Sequence, residues 1–519
     1  MRATPSLRRL PALSLVAALS LTALIACGDN DERNYFTEYG AKCELPRTGT
    51  DPLTNEPYAD TKGSVDHEKR FLRAWIDDLY LWYSEVPDLD PSGYPTALDY
   101  FNALKTQAIT PSGKAKDQFH FTYSTEEWVA LSQSGIEAGY GVQWTLLSSR
   151  PPREIVAAYV EPSSPAAQGG IRRGTKVLTV DGVDVERGTD IATLNGGLFP
   201  EALGQAHTFV VKDPGASASR SVTMSSASII NSPVQNVKVI PSGTRKIGYM
   251  TFNDHIATAE AGLASAISLL REQSVDDLVL DLRYNGGGYL AIASELAYMI
   301  AGPNPTIGKA FETLTYNDRH QTIDPFSGQR LAPRPFLSAA VGLSLPAGRV
   351  LPVLGLPRVV VITGPGTCSA SESVINGLRG IDVQVIQIGA TTCGKPYGFY
   401  PQDNCGTTYF AIQFQGINHK GYGDYADGFV PAGAGESGVP GCVVPDDFTH
   451  DLGDPAERRL AAALSYLSTG ACPNQTIARP ALPGHSDLSA VDGVTPKPLW
   501  RQNRIVTDGA DGTNRIDRR

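Results

Sequence analysis

The 519-residue sequence predicts a multidomain α/β protein: a helical N-terminal region, a small β-rich domain, and a larger core of alternating strands and helices. Three observations carry that expectation. An aromatic stripe at helical spacing dominates residues 63–133. From 136 the pattern changes to short strands punctuated by turns. From 245 strands and helices alternate, with short connections that suit crossovers in an α/β layer structure. Composition agrees, because 41% apolar and 19% charged residues are ordinary for a globular chain, and 52 glycines with 37 prolines imply many tight turns. A formal net charge of −10 leaves no basic stripe and argues against a nucleic-acid partner.

Residues 1–27 read as an address. Arg2, Arg8 and Arg9 precede the apolar run LPALSLVAALSLTALIA, the n-region and h-region of a secretory signal. The segment ends Leu24-Ile25-Ala26-Cys27, which resembles a bacterial lipobox. That resemblance implies a lipidated Cys27 and a protein anchored at the bacterial cell envelope, facing the periplasm, on the outer membrane in a Gram-negative host. A plain signal peptide with a chance cysteine is the alternative. Six further cysteines, Cys43, Cys368, Cys393, Cys405, Cys442 and Cys472, are an even number, and export makes them disulfide candidates. Sequence leaves their pairing open. With no C-x-x-C pair and no H-E-x-x-H, no metal site is expected.

Residues 28–62 are polar and rich in glycine, proline and threonine, and read as a tether. In 63–133, Phe71, Trp75, Leu79 and Trp82 recur along one helix, and a second helix is expected over 97–104. The 134–230 segment contains a strand, the turn Pro162-Ser163-Ser164-Pro165, a short helix over 166–168, and the strand KVLTVDG turning at Asp181-Gly182. In 236–472, KIGYMTF, DDLVLDLR, RVVVIT and VQVIQIG read as strands. ATAEAGLASAISLLREQ, YLAIASELAYMIA, a segment after Ser369, and PAERRLAAALSYL read as helices. Residues 473–519 show no apolar period and read as poorly ordered.

Three segments of this core carry chemistry. Asp281-Leu282-Arg283-Tyr284-Asn285-Gly286-Gly287-Gly288 follows a strand, and its glycines let backbone approach a ligand closely. Thr363-Gly364-Pro365-Gly366-Thr367-Cys368-Ser369-Ala370-Ser371-Glu372 follows RVVVIT and opens a helix. A serine there is either an N-cap or a nucleophile in the positive field of the helix N-terminus. Gly389-Ala390-Thr391-Thr392-Cys393-Gly394-Lys395 matches G-x-x-x-x-G-K, but Pro396 replaces the hydroxyl residue that holds Mg²⁺, so nucleotide binding is not expected.

Together these segments resemble the C-terminal processing proteases, the S41 serine peptidases, whose pattern is D-L-R-N-N-x-G-G, then S-A-S-E, then G-K. The 134–230 segment resembles a PDZ domain of the bacterial protease type, with Gly139-Tyr140-Gly141-Val142 where that family has its carboxylate-binding loop. The resemblance covers roughly 60–470 and implies a crotonase/ClpP-like α/β core. It implies Ser369 as nucleophile, Lys395 as general base, and the N–H groups of Gly287 and Ala370 as the oxyanion hole. Its implied partners are protein or peptide substrates taken by their C-termini, without cofactor. The chemistry is consistent: a serine hydroxyl needs a neighbour to take its proton, and a lysine can do so only when burial keeps it neutral.

There are departures. The glutamine that some members carry four residues after the lysine is Phe399 here. The aspartate that others carry eleven residues after the serine is Gly380, with Asp382 two further on as candidate third partner. Cys368 and Cys393, flanking the two catalytic candidates, could brace the dyad or lock it in one redox state. A catalytically inactive peptide-binding scaffold, and a different serine hydrolase on a related fold, are the competing readings.

Overall fold

The computed structural model describes residues 35–473, apart from 52–54, 111, 149, 201 and 434–437, together with the backbone of 504–506. The signal segment with Cys27, and all of 473–519 but Cys-proximal residue 473 and that short backbone stretch, lie outside the described residues. Among the described residues, no helix is long and apolar enough to cross a membrane.

A seven-stranded sheet forms the core, in the order Val234–Ser242, Arg245–Phe252, Asp277–Asp281, Arg358–Thr363, Gln384–Gly389, Val439–Val443, Pro431–Ala432. Only the first pair is antiparallel. The parallel strands are Val/Ile-rich because both faces are covered. Alternate residues serve opposite layers. Leu278, Leu280, Val359 and Val361 pack on the side of helices Ala259–Glu272, Leu290–Ala301 and Ala370–Gly380. Val279, Val360, Ile362, Ile386 and Ile388 pack against helix Arg458–Thr469.

The N-terminal helices Val65–Leu79 and Ala97–Ala103 share the main core cluster rather than forming a separate one. Strand Phe121–Ser124 also pairs with Thr407–Phe410 of the core. The expectation of a tether over 28–62 does not hold for 35–62. Tyr35 is buried, Cys43 is bridged to Cys405, and Lys42–Cys43 pairs with Thr61–Lys62. A covalent bond to a residue 362 positions away holds a segment whose composition is that of a linker.

Residues 136–230 form a domain with its own core around Trp144, Ile155, Val177, Leu194 and Phe209. Its strands run in the order Arg220–Ser225, Ala206–Lys212, Lys176–Val180, Glu154–Val160, Val142–Ser148. Helices Pro165–Gln168 and Ile191–Leu198 complete it. Its first and last strands, Ile136–Gly139 and Ala227–Ile230, pair with each other, so the domain leaves and rejoins the chain at one place. Asp181 and Gly182 both have positive φ, as a two-residue hairpin turn requires.

Candidate active site

The three chemical segments meet at the ends of the central parallel strands. Asn285 joins the first to the second: its carbonyl accepts from Cys368 N (3.0 Å) and Ser371 Oγ (3.1 Å). Glu372 joins the second to the third. Its Oε2 accepts from Ser369 N (2.9 Å) and Lys395 N (2.8 Å), and its Oε1 from Gly394 N (2.9 Å) and Thr392 Oγ1 (2.5 Å). One oxygen therefore holds the backbones of both dyad candidates. Burial pushes the Glu372 carboxyl up despite these donors. A disulfide joins Cys368 to Cys393 beside it, so neither sulfur is a thiolate able to ligate a metal with Glu372. The other four cysteines pair as Cys43–Cys405 and Cys442–Cys472.

Ser369 has φ 60° and ψ −116°, a strained conformation for a residue with a Cβ. It stands at the strand-to-helix turn, immediately before helix Ala370–Gly380, in the manner of a nucleophile elbow. Ser369 is the N-cap residue of this helix and gives its own N–H to Glu372 at N3, while its Oγ is buried without a hydrogen bond and is not spent on capping. Ala370 opens the helix, where an N–H has no carbonyl to reach within the helix. Lys395 is wholly buried, and burial holds its amine well below the usual lysine range, against the opposing charges of Asp117 and Glu372. Its Nζ lies 4.2 Å from the Phe399 ring centre and 4.7 Å from that of Phe119.

Two expectations need correction. Gly287 N–H donates to Asn285 Oδ1 (3.0 Å), an oxygen also within 2.9 Å of His255 Nδ1. It is spent on its own loop and does not stand ready for an oxyanion. The neighbouring Gly288 is sterically required, since a Cβ there would lie 2.4 Å from the His255 carbonyl. Asp382 is not a third partner. The Ala370–Gly380 helix carries the chain about 16 Å away from Ser369 at 1.5 Å per residue. There Asp382 is 82% exposed and paired with Lys420.

The Gly389–Lys395 loop turns the N–H groups of Ala390, Thr392, Cys393, Gly394 and Lys395 onto protein acceptors, not outward as a phosphate cradle. In the 136–230 domain, Gly139 pairs with Ala227, the Tyr140 ring is buried against Phe209, and Gly141 O accepts from Glu161 N. Val142 starts a strand that lies at the open edge of its sheet.

Arg173, which the sequence analysis did not single out, ties that domain to the site. Arg173 donates to Tyr284 Oη (2.7 Å) and Asp446 Oδ1 (2.7 Å). Tyr284 Oη donates to Asp446 Oδ2 (2.6 Å). Arg283 reaches Asp281, Asp446 and Glu457 from a fully buried position. Burial opposes the Asp446 charge, but Arg459, Arg283 and Arg173 hold its carboxyl far below the usual range. The available signal was the pair Asp446-Asp447 in an otherwise apolar late segment, GCVVPDDF, which has no local basic partner.

The fold has a solved counterpart. A crystal structure from Bacteroides fragilis assigned to the S41 proteases superposes with a TM-score of 0.57 at 23% identity, covering 77% of this chain and 97% of that one. Residues 246–399 match the model of peptidase family S41, and 67–123 match the peptidase S41 N-terminal domain. Over these two stretches the chain is similar to peptidase family S41. Among its relatives, a carboxyl-terminal-processing protease of Picosynechococcus sp. is 26% identical over 272 residues, 51% of this chain and 56% of that protein. A chloroplastic C-terminal processing peptidase of Tetradesmus obliquus is 30% identical over 158 residues, 28% of this chain and 34% of that protein. The chain thus spans about half the length, or less, of these curated relatives.

Proposed function

We propose that this chain is an exported serine endopeptidase that hydrolyses peptide bonds with Ser369 and Lys395. The observation that carries the reading is that a strained, buried serine elbow and a desolvated, buried lysine both donate their backbone N–H groups to one oxygen of Glu372. Ser369 Oγ attacks the scissile carbonyl carbon while Lys395 Nζ takes its proton. The tetrahedral oxyanion receives the Ala370 N–H at the start of the nucleophile helix. Lys395 then returns the proton to the leaving amine. Water repeats the sequence on the acyl-enzyme.

The 136–230 domain acts as a PDZ module that takes unfolded segments or C-termini. Its support is the open edge strand Val142–Ser148, to which a peptide can add as a further strand. Cys27 anchors the mature chain to the envelope membrane. A second reading, an inactive peptide-binding scaffold, draws on the unbonded Ser369 Oγ and the occupied Gly287 N–H.

The test is covalent capture. The chain from residue 28 is incubated with an unfolded protein and, separately, with a fluorophosphonate. Degradation together with a single adduct mapped to Ser369 is expected. An adduct at another residue would overturn the nucleophile assignment, and neither degradation nor adduct would favour the scaffold.

Residues Arg504–Val506 run parallel to Gly287–Tyr289, in register 287 to 504. They occupy an edge of the strand that an extended substrate would border. A chain ending at 473 is therefore expected to hydrolyse a short reporter peptide several-fold faster, chiefly through a lower KM. An unchanged KM would show that this pairing does not compete with substrate.

A further inference from the structure

The base's pocket is built from two separate parts of the chain. Phe399 comes from the core, four residues after Lys395. Phe119 comes from the N-terminal region, about 280 positions away. Both rings lie over Lys395 Nζ, at 4.2 and 4.7 Å.

The Phe119 ring is held in place by its neighbours. Asp117 Oδ1 accepts from Phe119 N (2.8 Å), and Asp117 Oδ2 accepts from Tyr80 Oη (2.6 Å). His120 lies 3.5 Å from Asp117 through Nδ1, stacks on Phe101, and contacts the Phe101 carbonyl through Nε2 (2.9 Å). Burial works against the Asp117 charge, but its bonds to His120, Tyr80 and Phe119 N keep its carboxyl below the usual range. Phe121 stacks on Phe410 and meets Phe399 edge-on. This stretch is thus pinned on both sides of Phe119.

We propose that Phe119, supplied by the N-terminal region, is a positioning residue for the general base, closing with Phe399 a dry aromatic wall around Lys395. This rests on the Ser369–Lys395 reading above. The wall has two effects. It excludes water, so the free amine is favoured at rest. It also presents ring faces to the ammonium that forms when the serine proton arrives, which softens the cost of a buried cation. The charged groups facing the amine are Asp117 from the N-terminal region and Glu372 from the nucleophile helix, with His120 and Tyr80 behind Asp117. Both carboxylates favour the charged lysine, so the apolar wall is what opposes them.

The experiment measures kcat and KM for a short reporter peptide against pH in the full mature chain and its variants. Phe119→Ala admits water. The acidic limb of kcat/KM is expected to move up by about one pH unit or more, and kcat near pH 7 to fall about tenfold, with KM nearly constant. Phe119→Leu keeps the wall dry and should return the limb to within about half a unit of the parent. An unmoved limb in Phe119→Ala, even with a lower kcat, would assign Phe119 a merely structural role. A shift in Phe119→Leu as large as in Phe119→Ala would also overturn the proposal. If Phe119→Ala fails to fold, Phe399→Ala opens the same wall from the other side and must shift the limb in the same direction.

A second readout does not depend on hydrolysis. In a Ser369→Ala background, cyanate carbamylates only the neutral amine, and its pH dependence at Lys395, read by mass, should move with Phe119→Ala. Hydrolysis that survives Ser369→Ala would defeat the proposed function. An unmoved carbamylation profile would defeat this inference alone.

Discussion

Ser369→Ala and Lys395→Met, singly or together, are each expected to lower kcat/KM for peptides by about 10⁴-fold or more, with the double variant little worse than either. In the proposed mechanism the two groups act as a unit: a serine without an acceptor for its proton is as inert as a lysine without a nucleophile. Their stabilities should differ. Alanine keeps the Cβ that strains Ser369 at φ 60°, so Ser369→Ala is expected to melt with the parent. Ser369→Gly should gain about 1 kcal/mol by relieving that strain.

Lys395→Met should stabilise, because it replaces a fully buried amine with an apolar chain of similar length. Its pH dependence follows from linkage. The folded lysine pKa is depressed, so between that value and the unfolded value of about 10.4 the unfolded chain binds the extra proton. Stability therefore rises with pH through this window, and Lys395→Met should remove that part of the slope. Equal slopes in thermal melts of parent and variant would show that Lys395 is charged in the folded protein.

The second large effect is on the fold. Asp446→Asn removes the negative charge shared by Arg173, Arg283 and Arg459. Breaking a buried ion network by removing one partner costs about 3–5 kcal/mol. A fall in Tm of about 3–5 °C is expected for a chain of this size. The acid limb supplies a further check. Because the folded Asp446 pKa is depressed, its contribution is fully present above the unfolded value of about 3.9 and is lost as pH falls through the folded one. Asp446→Asn should flatten stability in that acidic window. A variant as stable as the parent would mean that the three guanidiniums are satisfied by Glu457, Asp281 and backbone carbonyls without it. The same network ties the 136–230 domain to Tyr284 beside the glycine strand, so loss of Asp446 should also raise the mobility of that domain.

Much of this was legible in the sequence for a local reason. The core strands alternate between two buried layers, the helices repeat every three to four residues, and glycine or proline marks their ends. KIGYMTF, RVVVIT and VQVIQIG therefore read as strands within a residue or two of where they lie. Ser369, Ala370, Glu372 and Lys395 sit in short motifs whose residue types and order point to the proposed chemistry.

What tertiary structure alone decided are pairings between distant segments. The disulfides, the ordering of 35–62 through Cys43, Arg173 on Asp446, and Phe119 over Lys395 leave no local pattern, since each depends on where two remote backbones cross. Orientation was hidden for the same reason. Only the folded loop turns Gly287 N–H onto Asn285, and only the length and direction of one helix carry Asp382 from the site to the surface.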